Sequence, residues 1–275
     1  MGGASLRGSK PFLQGDYNGD GKADVAVYRP AAGRWHIRGI GTVHFGRPYS
    51  TIAAPADYNG DGKTDIAVFT SGGRWLIRGG PPPFQLGRQG DVPVPADYNG
   101  DGRADPAVFR PTTGWWYIRG VGRFRYGRQR DVPVPADYNG DGKTDVAVYS
   151  VGHPNETKAT WHIRGIKDVS FGDGNQTPVP GDYNGDGKAD IATYSSYNAR
   201  WHIRRSGSFT FGKPNDLAAP ADYNGDGKTD PAVLRLLDTY EWVARGLFDV
   251  RFGRYGDVPL APLPLRCANY RQCFI

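Results

Sequence analysis

The chain has 275 residues, with 34 Lys and Arg against 28 Asp and Glu, for a formal net charge of +6. Forty glycines, 22 prolines, 7 Trp, 16 Tyr and 12 Phe stand beside only two glutamates, Glu156 and Glu241, and one methionine. Scarce helix formers and abundant aromatics exclude a helical protein, and no run approaches the ~20 apolar residues of a membrane-spanning helix.

Residues 1–10 read as an N-terminal extension without the apolar core of a signal peptide, so export is either not encoded here or its leader has been removed. A nine-residue string then recurs six times, beginning at Asp16, Asp57, Asp97, Asp137, Asp182 and Asp222, at intervals of 41, 40, 40, 45 and 40 residues. Such a period is the mark of a repeat architecture and sets the whole fold. The long interval carries an insertion around residues 153–158.

Each unit holds four short strand candidates between turn residues. In the third they are Val92 to Ala96, Pro106 to Arg110, Trp116 to Arg119 and Arg123 to Tyr126. Four strands per roughly 40 residues is the size of a β-propeller blade. The expected fold is therefore all-β: six four-stranded blades over residues 11–254, each with one ion-binding hairpin loop. One tryptophan per unit (Trp35, Trp75, Trp116, Trp161, Trp201, Trp242) reads as packing between blades rather than as a ligand platform. Residues 255–275 form a tail that begins like a seventh unit, Asp257-Val-Pro-Leu, and then departs from the pattern. A clasp over the ring junction is expected, the alternative being a seventh, incomplete blade. A third role for the tail is an edge strand offered to a neighbouring subunit.

The string places side-chain oxygens at positions 1, 3, 5 and 9, a backbone carbonyl at position 7 and a bend-permitting glycine at position 6. This is the ligand spacing of the first nine residues of an EF-hand loop. The candidate ligands are Asp16, Asn18, Asp20, Lys22 and Asp24; Asp57, Asn59, Asp61, Lys63 and Asp65; Asp97, Asn99, Asp101, Arg103 and Asp105; Asp137, Asn139, Asp141, Lys143 and Asp145; Asp182, Asn184, Asp186, Lys188 and Asp190; and Asp222, Asn224, Asp226, Lys228 and Asp230. Position 12 is a valine or Thr193, not the glutamate of an EF-hand, so the loop sits on a β-hairpin. Hard oxygen donors favour Ca²⁺, about six ions in all. A purely hydrogen-bonded turn would not need three mutually repelling carboxylates in nine residues.

With these motifs in view, the units resemble the FG-GAP repeats of integrin α-like, VCBS-type proteins. The "FG" pair is Phe45-Gly46, Leu86-Gly87, Tyr126-Gly127, Phe171-Gly172, Phe211-Gly212 and Phe252-Gly253. Pairs such as Ala54-Pro55 and Val94-Pro95 precede the loops. The resemblance implies a propeller with one Ca²⁺ per loop. It selects no ligand, since relatives range from adhesion receptors to lectins.

The six loops carry 18 Asp and 6 Lys or Arg, leaving 28 Lys or Arg and 10 acids elsewhere. Arginines repeat before the tryptophan (Arg34, Arg74, Arg200), three residues after it (Arg38 to Arg245) and after the FG pair (Arg47, Arg88, Arg128, Arg254). Beyond pairing and covering aromatics, such slots suit an anionic partner, acidic glycan ahead of nucleic acid. An extracellular protein is the other partner class.

Calcium loops of modest affinity fit an extracellular or cell-surface location. Cys267 and Cys273 in the tail are candidates for a disulfide. Asn155 and Asn175 head glycosylation sequons. No nucleophile motif, phosphate loop or carboxylate pair for catalysis is found, and His36, His162 and His202 share one repeat slot. The reading is a secreted, lectin-like adhesion module, not an enzyme. The alternative is a structural subunit of a surface layer or fibre, assembled through the tail.

Overall fold

The computed structural model describes residues 15–151 and 158–260, which form six four-stranded antiparallel sheets and no helix. The sheets are the blades of a six-bladed propeller. Blade three, for example, runs Val92–Pro93, Ala107–Arg110, Trp115–Ile118 and Gly122–Arg125 from the axis outward. Blades two to six are each continuous in sequence.

Blade one is not. Its second, third and outer strands are Ala26–Arg29, Arg34–Ile37 and Gly41–His44, but its innermost strand is Val258–Pro259. That strand pairs Val27 with Pro259 and Tyr28 with Val258. Thus the start of the apparent seventh unit completes the first blade, and the ring closes at six. Residues 1–10, the tail from 261 with both cysteines, and Asn155 lie outside the described residues.

Burial falls from the second strand outward. In blade two, Ala67, Val68 and Phe69 are all at most 1% exposed, so this strand is covered on both faces and does not alternate. The third strand alternates, with Trp75 and Ile77 inside and Arg74 in solvent. The innermost strands are mostly two residues long and carry prolines, which a ladder tolerates at an edge.

Blades are joined by mixed clusters. Trp116 of blade three packs in one cluster with Val146 and Val148 of blade four. At the closure, Trp242 of blade six shares a cluster with Val25 and Val27 of blade one. All six repeat tryptophans are at most 2% exposed. Each indole N–H donates to the carbonyl of the FG-slot residue, as Trp116 does to Tyr126 at 2.8 Å. This fixes the ring orientation and satisfies a buried donor.

Candidate functional site

In blades two to six each acidic loop joins the innermost strand to the second, and in blade one the loop at Asp16 leads into the second strand. Antiparallel geometry therefore puts all six loops on one face of the propeller, with the turns between third and outer strands. The other face carries the turns between second and third strands and the blade-to-blade connections. The loops ring one mouth of a central channel of about 1320 Å³, whose wall is built by Val92, Val134 and Val258 with the neighbouring prolines.

Within a loop the carboxylates fold the backbone around themselves. Asp97 accepts the N–H of Gly100 on Oδ1 (2.6 Å) and that of Gly102 on Oδ2 (2.8 Å). Asp105 accepts the N–H of Tyr98 at 3.0 Å and the side-chain amide of Asn99 at 2.9 Å. Asp101 accepts the N–H of Arg103 at 2.9 Å. Gly100 and Gly102 both sit at φ +81°, in the region that favours glycine. The tyrosine at position 2 anchors the loop to the core. Tyr98 donates its hydroxyl to the Val94 carbonyl at 2.7 Å and meets Trp116 edge-on, with centroids 6.4 Å apart.

The loops are also tied to one another, which the sequence reading missed. The position-8 N–H of each loop donates to the position-1 carbonyl of the loop before it: Thr64 to Asp16, Ala104 to Asp57, Thr144 to Asp97, Ala189 to Asp137 and Thr229 to Asp182. Ala23 closes the circle by donating to Asp222 at 2.7 Å. The aliphatic stem of each position-7 side chain lies on the position-4 glycine of the preceding loop. A Cβ added to Gly100 would fall 2.8 Å from Lys143 Cγ. The signal was present in the sequence: position 8 is always Ala or Thr, as a tight contact between loops requires.

Among the described residues, no loop aspartate forms an ion pair with a Lys or Arg. The cost falls on position 9. Asp24, Asp65, Asp105, Asp145, Asp190 and Asp230 all have carboxyl pKa values raised, first by desolvation and then by repulsion from the aspartates at positions 1 and 5. Among the described residues no three His, Cys, Asp or Glu side chains converge as a ready-made metal cage. The carboxylates are turned onto backbone N–H groups instead. The donor set, three carboxylates and an amide oxygen with no cationic partner, nevertheless fits a hard divalent cation in kind and in charge.

The repeated arginines divide by slot. Arg119, Arg164 and Arg245 lie over Phe84, Phe124 and Phe209 of the preceding blade, 3.8, 4.3 and 4.3 Å from the ring centroids. Where that outer-strand residue is Val43, Val169 or Val250, no ring is there to cover. Arg29, Arg110 and Arg235 pair with the buried Asp257, Asp91 and Asp216 at the start of the innermost strands. The sequence reading passed over these aspartates, although an Asp before Val-Pro recurs in the repeat. His36, His162 and His202 bond Thr42, Asp168 and Ser208 on the adjoining turn or outer strand, as parts of the blade.

Residues 16–68 match the FG-GAP-like repeat family, and residues 49–94 the FG-GAP repeat family. The first two units, within residues 16–94, thus match FG-GAP repeats. No curated protein matches the chain significantly. Among solved structures it is similar to an Agrocybe aegerita lectin described as recognising non-reducing terminal N-acetylglucosamine, at 15% identity and a TM-score of 0.52. That match covers 82% of this chain and 74% of the lectin. It is also similar to BBS1N, solved in complex with ARL6DN, at 12% identity and a TM-score of 0.52, over 90% of this chain and 84% of that one. At such identities the likeness shows the propeller fold alone. No helix among the described residues is long and apolar enough to cross a membrane.

Proposed function

We propose that this FG-GAP propeller is a calcium-stabilised glycan-binding module that works outside the cell, by binding rather than by catalysis. The observation that carries it is the ring of eighteen loop aspartates without a cationic partner. A divalent ion in each loop would remove the repulsion that raises the position-9 carboxyls. Asp, Asn and the position-7 carbonyl of each loop would hold the ion, and its role would be to stiffen the loop. Modest-affinity loops of this kind are filled where calcium is abundant, as it is outside cells.

The glycan part of the reading has two supports. The shared fold includes a lectin, and the surface repeats one set of polar side chains per blade, which suits weak multivalent contacts. Calcium-equilibrated protein screened on a mixed array of neutral and acidic glycans should bind in a saturable way. Dialysed, metal-free protein should lose that binding in step with its stability. No binding to any glycan at millimolar calcium would reject the reading.

A further inference from the structure

We infer that the face opposite the acidic loops is the docking surface, and that its occupant is an acidic polysaccharide. The inference rests on the glycan-binding reading and specifies where and to which chemical class the glycan binds.

The two faces differ in how their cations are set, because the repeat sorts its residues by strand end. Among the described residues the loop face carries fifteen Lys and Arg, but it sets them among the eighteen loop aspartates, Asp168 and Asp249, and the ions proposed for the loops would offset that negative charge without removing the carboxylates. On the connection face, Arg29, Arg110 and Arg235 are used up by Asp257, Asp91, Asp216 and Glu241. Among the described residues twelve other Lys and Arg side chains belong to that face and all are exposed. Against them stand three other carboxylates among the described residues: Asp131, buried and bonded to Ser150, half-buried Asp173, and exposed Asp238. Arg47, Arg88, Arg128, Lys213 and Arg254 occupy one slot in five of the six connections, so the positive charge recurs around the ring. A polyanion meets several of these sites at once, and linked weak contacts add to avidity.

A second observation selects the polymer. Among the described residues the three most exposed large hydrophobic side chains are Tyr49, Tyr197 and Tyr255, at 66%, 87% and 76%. Topology places all three on this same face, two in connections and one in a turn between second and third strands. An aromatic ring with a polar edge, flanked by cations and open to solvent, suits the apolar face of a sugar ring whose neighbours carry carboxylate or sulfate. Exposed aliphatic side chains occur on both faces, Val151, Leu236 and Leu237 on this one and Ile40, Val121, Ile166 and Leu247 on the other, whereas the exposed tyrosines lie on this face alone among the described residues.

The test compares two fourfold variants of the calcium-loaded protein. One carries Arg47→Ser, Arg88→Ser, Lys213→Ser and Arg254→Ser on the connection face. The other carries Arg38→Ser, Arg78→Ser, Arg204→Ser and Arg205→Ser on the loop face. The probes are polygalacturonate, heparin, a neutral chitin oligosaccharide, a 20-base-pair DNA duplex and phosphatidylserine vesicles, all at low salt. The inference expects the connection-face variant to lose tenfold or more in affinity for the two acidic glycans. The loop-face variant should stay within about twofold of wild type, and both variants should melt like wild type. Loss in the loop-face variant instead would overturn the assigned face. Tighter binding of DNA or vesicles than of either acidic glycan would overturn the assigned class. Binding to the chitin oligosaccharide alone would overturn the inference while leaving the glycan reading intact, and binding to no glycan would end both.

Discussion

Arg29 grips Asp257 across 228 residues of sequence, Nε to Oδ1 at 2.7 Å and Nη2 to Oδ2 at 2.9 Å. The carboxylate is 1% exposed and also accepts the N–H of Arg254, while the Asp257 carbonyl accepts the Tyr240 hydroxyl. Asp257 thus helps tie the closing strand Val258–Pro259, which follows blade six in the chain, to the rest of blade one, where backbone pairing and packing rather than chain connectivity hold the ring together. Truncating Arg29 leaves a buried carboxylate without its charge partner. Arg29→Ala should cost about 3 kcal/mol and lower Tm by roughly 6–12 °C. A thermal melt that moves by less than about 1 °C would show that the closing strand holds without this pair.

Much of the fold was legible in the sequence. Period, four strand candidates per unit and the tryptophan slot each report on local chemistry that repeats six times. The closure was half legible. Asp257-Val-Pro-Leu260 matches Asp91-Val-Pro-Val94, yet only pairing with Ala26–Arg29 shows it to be the missing strand of blade one. The loop-to-loop circle could not be read from one unit, because the partners of Ala104 and Asp97 lie one repeat away in opposite directions. Arginine roles were the least legible. Whether the residue three after the tryptophan covers a ring depends on Phe or Val in the previous blade, a pairing that only the register supplies.

The inter-blade stacking can be measured directly. Arg119 lies 3.8 Å from the Phe84 centroid, linking blade three to blade two. A double-mutant cycle with Arg119→Gln and Phe84→Leu should give a coupling of about 0.5–1 kcal/mol, the range for a solvent-accessible cation over a ring. The same cycle with Arg78→Gln and Val43→Leu, where no ring is present, should give none. Equal couplings in the two cycles would assign the effect to aliphatic packing.

Calcium should change the pH dependence of stability, and the sign can be worked out. In the metal-free protein the position-9 carboxyls have pKa values raised above their usual range by desolvation and by the neighbouring aspartates. Their contribution to stability is therefore present below the unfolded value of about 3.9 and is lost as pH rises through the folded value. Bound calcium needs the ionised form, so it stabilises more as the carboxyls lose their protons. The Tm difference between calcium-loaded and dialysed protein should widen from pH 4 to pH 7. Other titrating groups contribute to both forms and largely cancel in that difference. A gap that stays flat or narrows with pH would reject cation binding through these carboxylates.

The last prediction separates backbone conformation from steric contact at two glycines of blade three. Gly114 and Gly120 have similar φ, +72° and +77°. A Cβ on Gly114 would lie 2.2 Å from the Gly127 carbonyl oxygen, whereas one on Gly120 would meet nothing within 4 Å. Gly120→Ala should thus cost only the left-handed conformation, about 1 kcal/mol. Gly114→Ala adds the displacement of a backbone carbonyl beside the Trp116 to Tyr126 hydrogen bond, for a total of roughly 2–4 kcal/mol. Blade five shows how the slot can yield, since Ala199 occupies it at φ +52° and is 1% exposed. Urea denaturation of the two variants would decide the matter. Equal losses would mean that blade three relaxes as freely as blade five, and that the close approach of turn and FG connection contributes little to holding the blade.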